Sequence, residues 1–412
     1  MFRLKRNRAG SVLPVAAMLS LVLSGCASDA PPAEKIDYSK ELDPSAPALV
    51  RADPSEYPDF RLLWSNDRGI GAAIDESIAY FKKKSSEKWF PYTRLADGEV
   101  THARQVETLD ILKGIYAKAK DGEQFRTMVI GAFDIYKSVG HDGKNGVMLF
   151  TGYYTPIFDG SLVRTERFKY PLYKRPADLV TDPVSGEPRG RATAGGGTEP
   201  YPTRGEIEKG GLLKGQELVY LADAFEVYIV QVQGSAKIRL TDGKEMNIGY
   251  HGKTDRTYNS PGMELIKQGK LKKEELSLAR LKKYFRDHPA DLEVLNVNES
   301  YVFFQEGPPG PFGSIGSKVT PWHTIATDKS VFPRGGPTVA VTRVPEVGLG
   351  DTLNMKPHTG LYLDQDTGGA IRSAGRGDLY IGVGPDAERV AGSVQNEGKL
   401  FYLFAKPGGF RP

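Results

Sequence analysis

The feature that most constrains the fold is the lack of any regular alternation between strand-like and helix-like segments. From Gly146 the chain breaks into short apolar runs separated by Gly and Pro: VMLFTGYYTP, YPLYKRP, ELVYLADAFEVYIVQVQGSAKIRL and MNIGY. One helical stretch follows, KKEELSLARLKKYFRDHP, with Leu278, Leu281 and Phe285 on one face and Pro289 just beyond its end. From Tyr301 the chain is β-rich again, through YVFFQ, PTVAVTRV, LYLDQD, DLYIGVG and LFYLFAKP. A doubly wound parallel sheet requires strands and helices in turn, so the expectation is a mainly β chain with helices, an α+β fold with barrel-like sheets.

Upstream, residues 64–139 have helical spacing, with Val106, Leu109, Leu112 and Tyr116 in one series and Phe125, Val129, Ala132 and Tyr136 in the next. Residues 27–60, rich in Pro, Asp, Ala and Ser, read as a tether that would reach on the order of 90 Å if extended. The Gly/Pro-rich segment 181–206 reads as a long flexible loop. Its three consecutive glycines, Gly195 to Gly197, lack the following Gly-Lys-Ser/Thr of a phosphate cradle.

The formal net charge is +4, and Arg3, Lys5, Arg6 and Arg8 all precede the first acid, Asp29. Without that leader the chain is neutral, which removes the electrostatic case for a nucleic-acid partner. The basic start is followed by an apolar stretch, residues 11–23, too short to span a bilayer and of the form of a secretory signal. It ends in Leu23-Ser24-Gly25-Cys26, and Cys26 is the single cysteine, so no internal disulfide forms. This ending resembles a bacterial lipobox, which implies cleavage after residue 25 and lipidation of Cys26. Each buried CH₂ of such an anchor contributes about 0.8 kcal/mol. Ala27 after the cysteine resembles lipoproteins sorted to the outer membrane.

Several chemistries find no motif. The six histidines, at 102, 141, 251, 288, 323 and 358, include no pair at helical ligand spacing and no HExxH. Asp364-Gln365-Asp366 opens like a calcium loop, but Gly368 and Gly375 replace its later oxygen ligands. No GxSxG occurs, and a lipidated Cys26 leaves no thiol nucleophile. No metal or other cofactor is expected, which leaves the carboxylates.

The richest cluster is 363–380, LDQDTGGAIRSAGRGDLY. A strand LYLDQD would place Tyr362, Asp364 and Asp366 on one face. The following glycines allow a tight loop, and Asp378 opens the next strand at the rim of a sheet. A surface hairpin with Asp-capped turns is the competing reading. Two other runs carry polar groups that suit sugars. Read as a strand, FEVYIVQVQGSA ends one apolar face in Gln231 and Gln233, amides that both donate and accept. The run FTGYYTP combines the hydroxyls of Thr151, Tyr153 and Tyr154 with aromatic rings.

In this order FTGYYTP, VQVQGSA, YVFFQ, ATDKS, QDTGGAIRSAGRGDLYIGVG and the lipobox resemble the membrane-bound lytic transglycosylase A family, from about residue 60 to 407. The last part resembles the three-aspartate domain, which places those aspartates at Asp328, Asp366 and Asp378 and leaves Asp364 outside. The resemblance implies a double-psi β-barrel from both chain ends (61–156 and 262–407, the three-aspartate part about 320–407). A smaller β-barrel domain would be inserted at 157–261, with a groove between the two. It implies non-hydrolytic cleavage of the β-1,4 bond between N-acetylmuramic acid and N-acetylglucosamine, leaving 1,6-anhydromuramic ends, in cell-wall turnover at the periplasmic face of the outer membrane. Asp378 would be the acid and then the base, with Asp366 and Asp328 in support. Substrate contacts would come from Thr151, Tyr153, Tyr154, Gln233, Ser235, Gly369 and Ala370. The partners implied are glycan strands, the outer membrane through Cys26, and proteins of wall synthesis or degradation. One departure stands out, since the family loop is expected to carry Lys-Gly where this chain has Arg372-Ser373. Two other readings remain, a non-catalytic wall-binding lipoprotein and a muramidase that uses two carboxylates to hydrolyse the bond.

Overall fold

Six strands close on themselves in the computed structural model, which describes residues 36–65, 69–183, 185–347 and 353–412. They are β3 (Met148–Thr155), β13 (Thr324–Ala326), β14 (Pro337–Val347), β15 (Leu353–Asp366), β16 (Arg376–Val383) and β17 (Gln395–Ala405). The ladder runs β17-β14-β15-β13-β16-β3, and β3 returns to β17 through Thr151↔Gln395 to Met148↔Gly398. Closure removes the unpaired edges an open sheet would carry. The barrel is built mostly from the end of the chain, with β3 inserted between β16 (parallel) and β17 (antiparallel).

The sheet continues past β17 to β2 (Phe133–Ser138) and β1 (Leu49–Arg51). Two sequence expectations change here. The helical pattern read through Tyr136 ends at Ala132, because FDIYKS pairs with Phe401–Ala405 and is buried along most of its length. The stretch read as tether to residue 60 is folded in its last part, where Ala48, Leu49 and Phe60 are buried. The start of that stretch, with Cys26, lies outside the described residues.

Helix His102–Lys118 carries the expected stripe, with Leu109 and Leu112 fully buried and Val106 and Tyr116 packed alongside. Thr101 caps its start by accepting from Arg104 N, and Asp121 does the same for Gly122–Ala132. These helices cover the barrel face formed by Val339, Leu361, Leu363, Phe401 and Leu403. Burying each such side chain contributes about 1.5–3 kcal/mol.

A second sheet has the order β12 (Val302–Glu306), β11 (Glu245–Lys253), β10 (Ser235–Leu240), β4 (Ile157–Ser161), β9 (Glu217–Leu221) and β5 (Tyr170–Tyr173). Its ladder is open, and among the described residues the backbone pairing between its two edges is the isolated bridge between Lys174 and Phe304. Its last strand lies well beyond residue 261, so this second layer runs to Glu306. The segment 181–206 is not a simple loop either. It contributes to a three-stranded sheet, β6 (Leu179–Thr181), β7 (Pro188–Ala192) and β8 (Thr198–Glu199). It then enters helix Arg204–Gly210 through a Thr203/Glu206 capping box.

The run AFEVYIVQVQ, expected to be a strand, is a helix, Ala224–Gln233. Asp223 accepts from Phe225 N at its start, and Gly234, at φ 77, closes it in the left-handed conformation. Dense apolar content with β-branched residues fits either period, and here the two end signals prevail over composition.

Candidate active site

The carboxylates of the cluster are separated by a backbone irregularity. The parallel pairing of β13 with β15 slips between Ile325↔Asp364 and Ala326↔Asp366, leaving Gln365 as an extra residue. Gln365 is fully buried, donating to Ala73 O (2.8 Å) and Ser77 Oγ (2.9 Å) and accepting from Thr324 Oγ1 (2.7 Å). It fixes the strand end against helix Ile70–Phe81. Asp364 and Asp366 therefore meet different surroundings, although simple alternation put them on one face.

Asp364 is wholly buried and fully engaged. It is ion-paired with Lys329 and accepts from Thr327 Oγ1 (2.8 Å) and the Tyr402 hydroxyl (2.7 Å). Asp328, also buried, accepts from Ser330 N (2.9 Å), Ser330 Oγ (2.6 Å) and Ser373 N (2.7 Å). Ser373 has φ 67, a left-handed conformation natural to glycine, which is the residue expected at that place in the loop. The bond to Asp328, with one from Ser373 Oγ to Lys40 O, holds the serine there.

Asp366 is half-buried. It accepts from the Tyr153 hydroxyl (2.8 Å), Thr367 N (2.8 Å) and Ser314 N (2.9 Å). Burial raises its pKa, and the backbone and tyrosine donors oppose that rise. The Ser314 contact requires a close approach, because a side chain at Gly313 would strike Gln365 O at 2.4 Å.

Asp378 stands on β16 opposite Thr151 of β3 and beside Ala326 of β13. It is half-buried, and its one hydrogen bond among the described residues is accepted by Oδ1 from Thr151 Oγ1 at 2.8 Å. Arg376 Nη2 in turn donates to Thr151 Oγ1 at 3.4 Å. Burial lifts the Asp378 carboxyl to about 6, and the Asp366 charge adds to the rise. The Thr151 bond and the Arg376 charge pull it back.

The second sheet meets the barrel here. Gln233 Oε1 accepts from Tyr154 N at 3.0 Å, and Ser235 Oγ lies 3.4 Å from Thr155 Oγ1. The Thr155 hydroxyl is also 3.0 Å from the Tyr380 hydroxyl, and the Tyr380 ring lies 5.0 Å from that of Tyr153. Gly369 and Ala370 are exposed in the loop before Asp378, with Lys253 Nζ within 4.0 Å of where a side chain at Gly369 would sit. Tyr154 corrects its expected place in a groove. Its side chain is 1% exposed and its hydroxyl donates to Glu388, so it packs the layer beneath.

The reading from residues alone missed Arg376, Lys253, Tyr380 and Ser314. The first three are ordinary residues of strands. Ser314 acts through its backbone N–H, which leaves no mark in residue type, although GPPGPFGS does signal a loop there.

Two family models match the chain, the MltA specific insert domain over residues 149–305 and the 3D domain over 323–404. Membrane-bound lytic murein transglycosylase A of Escherichia coli K12 is 32% identical over 294 residues, 70% of this chain and 73% of that protein. The Vibrio cholerae protein of the same name is 32% identical over 270 residues, 64% of this chain and 67% of that protein. The crystal structure of a membrane-bound lytic murein transglycosylase from Agrobacterium tumefaciens matches at TM-score 0.69 and 25% identity, covering 87% of this chain and 98% of that one. E. coli MltA with bound chitohexaose matches at TM-score 0.65 and 26% identity, covering 90% and 98%. With a closed barrel carrying Asp366 and Asp378, and with the insert and 3D models matched over residues 149–305 and 323–404, this chain belongs to the membrane-bound lytic murein transglycosylase A family.

Proposed function

We propose that this chain is a lytic transglycosylase in which Asp378 alone moves the proton. It cleaves the β-1,4 bond between N-acetylmuramic acid and N-acetylglucosamine in peptidoglycan glycan strands. The carrying observation is the isolation of Asp378, a half-buried carboxyl lifted to about 6, with Thr151 on Oδ1 and no partner on Oδ2 among the described residues. Oδ2 is then the oxygen that holds the proton, as a general acid must near working pH.

Donation from Oδ2 to the glycosidic oxygen releases N-acetylglucosamine and leaves Asp378 ionised. The muramic C6 hydroxyl attacks C1, and Asp378 accepts its proton, so the 1,6-anhydro bond forms without water and the carboxyl is restored. Arg376 and Thr151 stabilise the transient carboxylate, while the Asp366 charge favours its return to the neutral acid. Tyr153, Gln233, Ser235, Gly369 and Ala370 would position the sugars. The family's chitohexaose-bound member supports an N-acetylhexosamine polymer as ligand.

In keeping with the family, the barrel is read as a double-psi barrel and the insert as a second small barrel. The chain would be held at the periplasmic face of the outer membrane through lipidated Cys26. Its relatives are named membrane-bound, and no helix among the described residues is long and apolar enough to cross a membrane.

Mass spectrometry of the products released from sacculi tests the reaction. Anhydromuramic ends are expected. Reducing muramic ends would replace this mechanism with two-carboxylate hydrolysis, and binding without release would leave only a wall-binding protein.

A further inference from the structure

Directly after Asp328 the chain forms one wall of a cavity of about 220 Å³, whose lining includes Trp89, Tyr92, Arg94, Lys329, Ser330 and Arg334. Three of these residues are cations, and they are not equally engaged. Lys329 is ion-paired with Asp364. Arg94 spends its donors on backbone oxygens of Asp43, Ala46 and Ser330. Arg334 has its Cζ over the Trp89 indole, 3.8 Å from the ring centroid, and makes no hydrogen bond or ion pair among the described residues. A half-buried guanidinium held rigid by an aromatic face, with its forked donors unspent, is prepared for a planar anion.

Position and size narrow the ligand. Thr327 N donates to Asp366 O (3.1 Å), and Asp328 holds Ser373 in the loop leading to Asp378, so the cavity wall and the acid's loop are tied together. Lys253 Nζ lies 4.0 Å from where a side chain at Gly369 of that loop would sit. The cavity wall is thus continuous, through Asp328, with the loop that leads to Asp378. At about 220 Å³ it falls below the roughly 300–1,000 Å³ of a cleft that takes a whole small ligand. It suits the end group of a larger molecule whose body lies elsewhere.

We infer that this cavity binds a carboxylate on the muramic acid substituent of the glycan strand, that of the peptide stem, with Arg334 as the recognising residue. The inference rests on the proposed function, since only that substrate brings the carboxylate beside the site.

Arg334→Gln keeps a planar donor but removes the charge. Cleavage would be followed on peptide-bearing strands and on strands stripped by an amidase, which expose the lactyl carboxylate instead. KM is expected to rise on the order of tenfold on peptide-bearing strands, with kcat unchanged, little effect on stripped strands, and partial recovery in Arg334→Lys. A rise confined to stripped strands would support the same carboxylate recognition with the lactyl group as its source, and an equal rise on both would overturn the inference, because the two substrates share no free carboxylate on the muramic substituent. An unchanged KM on both, or a fall in kcat alone, overturns the inference while the transglycosylase reading stands. Wild-type protein that cleaves neither substrate removes both. Matching unfolding midpoints for variants and wild type keep folding out of the comparison.

Discussion

Asp364 and Asp378 are both taken into the barrel wall, and they differ in company. Asp364 has an ammonium and two hydroxyls, whereas Asp378 has one hydroxyl on one oxygen. The first carboxylate is part of the structure because both of its oxygens are engaged, Oδ1 by Lys329 and Oδ2 by Thr327 and Tyr402. The second has an oxygen free to carry a proton in a place that disfavours charge. Partner number, more than burial, separates Asp364 from the carboxylate proposed to do the work.

The largest expected effect tests the working side. Asp378→Asn should lower kcat by about three orders of magnitude, as expected for loss of a general acid, while binding to sacculi persists. Release of anhydromuropeptides at anything near the wild-type rate would move the acid elsewhere. On the supporting side, Asp364→Ala strands Lys329 as an unpaired buried charge and should cost about 3–5 kcal/mol in denaturant unfolding. Pairing it with Lys329→Met should recover much of that loss, and a double variant no more stable than the single one would mean that the ion pair is not what Asp364 provides.

A smaller effect links the two. Thr151→Val removes a bond that favours the ionised form of Asp378, so the pH above which kcat declines, near 6 for wild type by the state of Asp378, should move upward. Thr151→Ser should restore it, and an unmoved pH profile would deny Thr151 that role. The smallest effect is on stability. The folded pKa of Asp378 lies above its unfolded value of 3.8, so the folded state binds more protons between about pH 4 and 6 and stability falls as pH rises through that window. Asp378→Asn escapes that loss. Its melting temperature should exceed the wild type's at pH 7.5, with the gap closing toward pH 4, and a gap independent of pH would contradict the raised pKa.

The β-rich final third and the helix His102–Lys118 were legible in the sequence, because period and turn residues agreed there, whereas the distinction between Asp364 and Asp378 came only from the family resemblance and stays part of the proposal. The helix Ala224–Gln233 was misread although Asp223 and Gly234 marked its ends, since an apolar run of that density obscures its own period. Tyr136 fell into a strand because long-range pairing with Tyr402 overrode a local helical spacing. The slip at Gln365 was invisible, because a single extra residue leaves no compositional trace yet redirects the side chains beyond it.

The placing of β3 between β16 and β17 also sets an order of events during synthesis. Thr151 is made early, but its strand cannot be enclosed until Gln395–Ala405 has left the ribosome and paired with it. The hydroxyl and the carboxyl of the site stand 227 residues apart in sequence and meet only once Arg376–Val383 has been made. A chain that stops between Val383 and Gln395 would carry Asp378 and still lack the partner strand that closes the barrel beside it, so the wall around the site stays open until Gln395–Ala405 is in place.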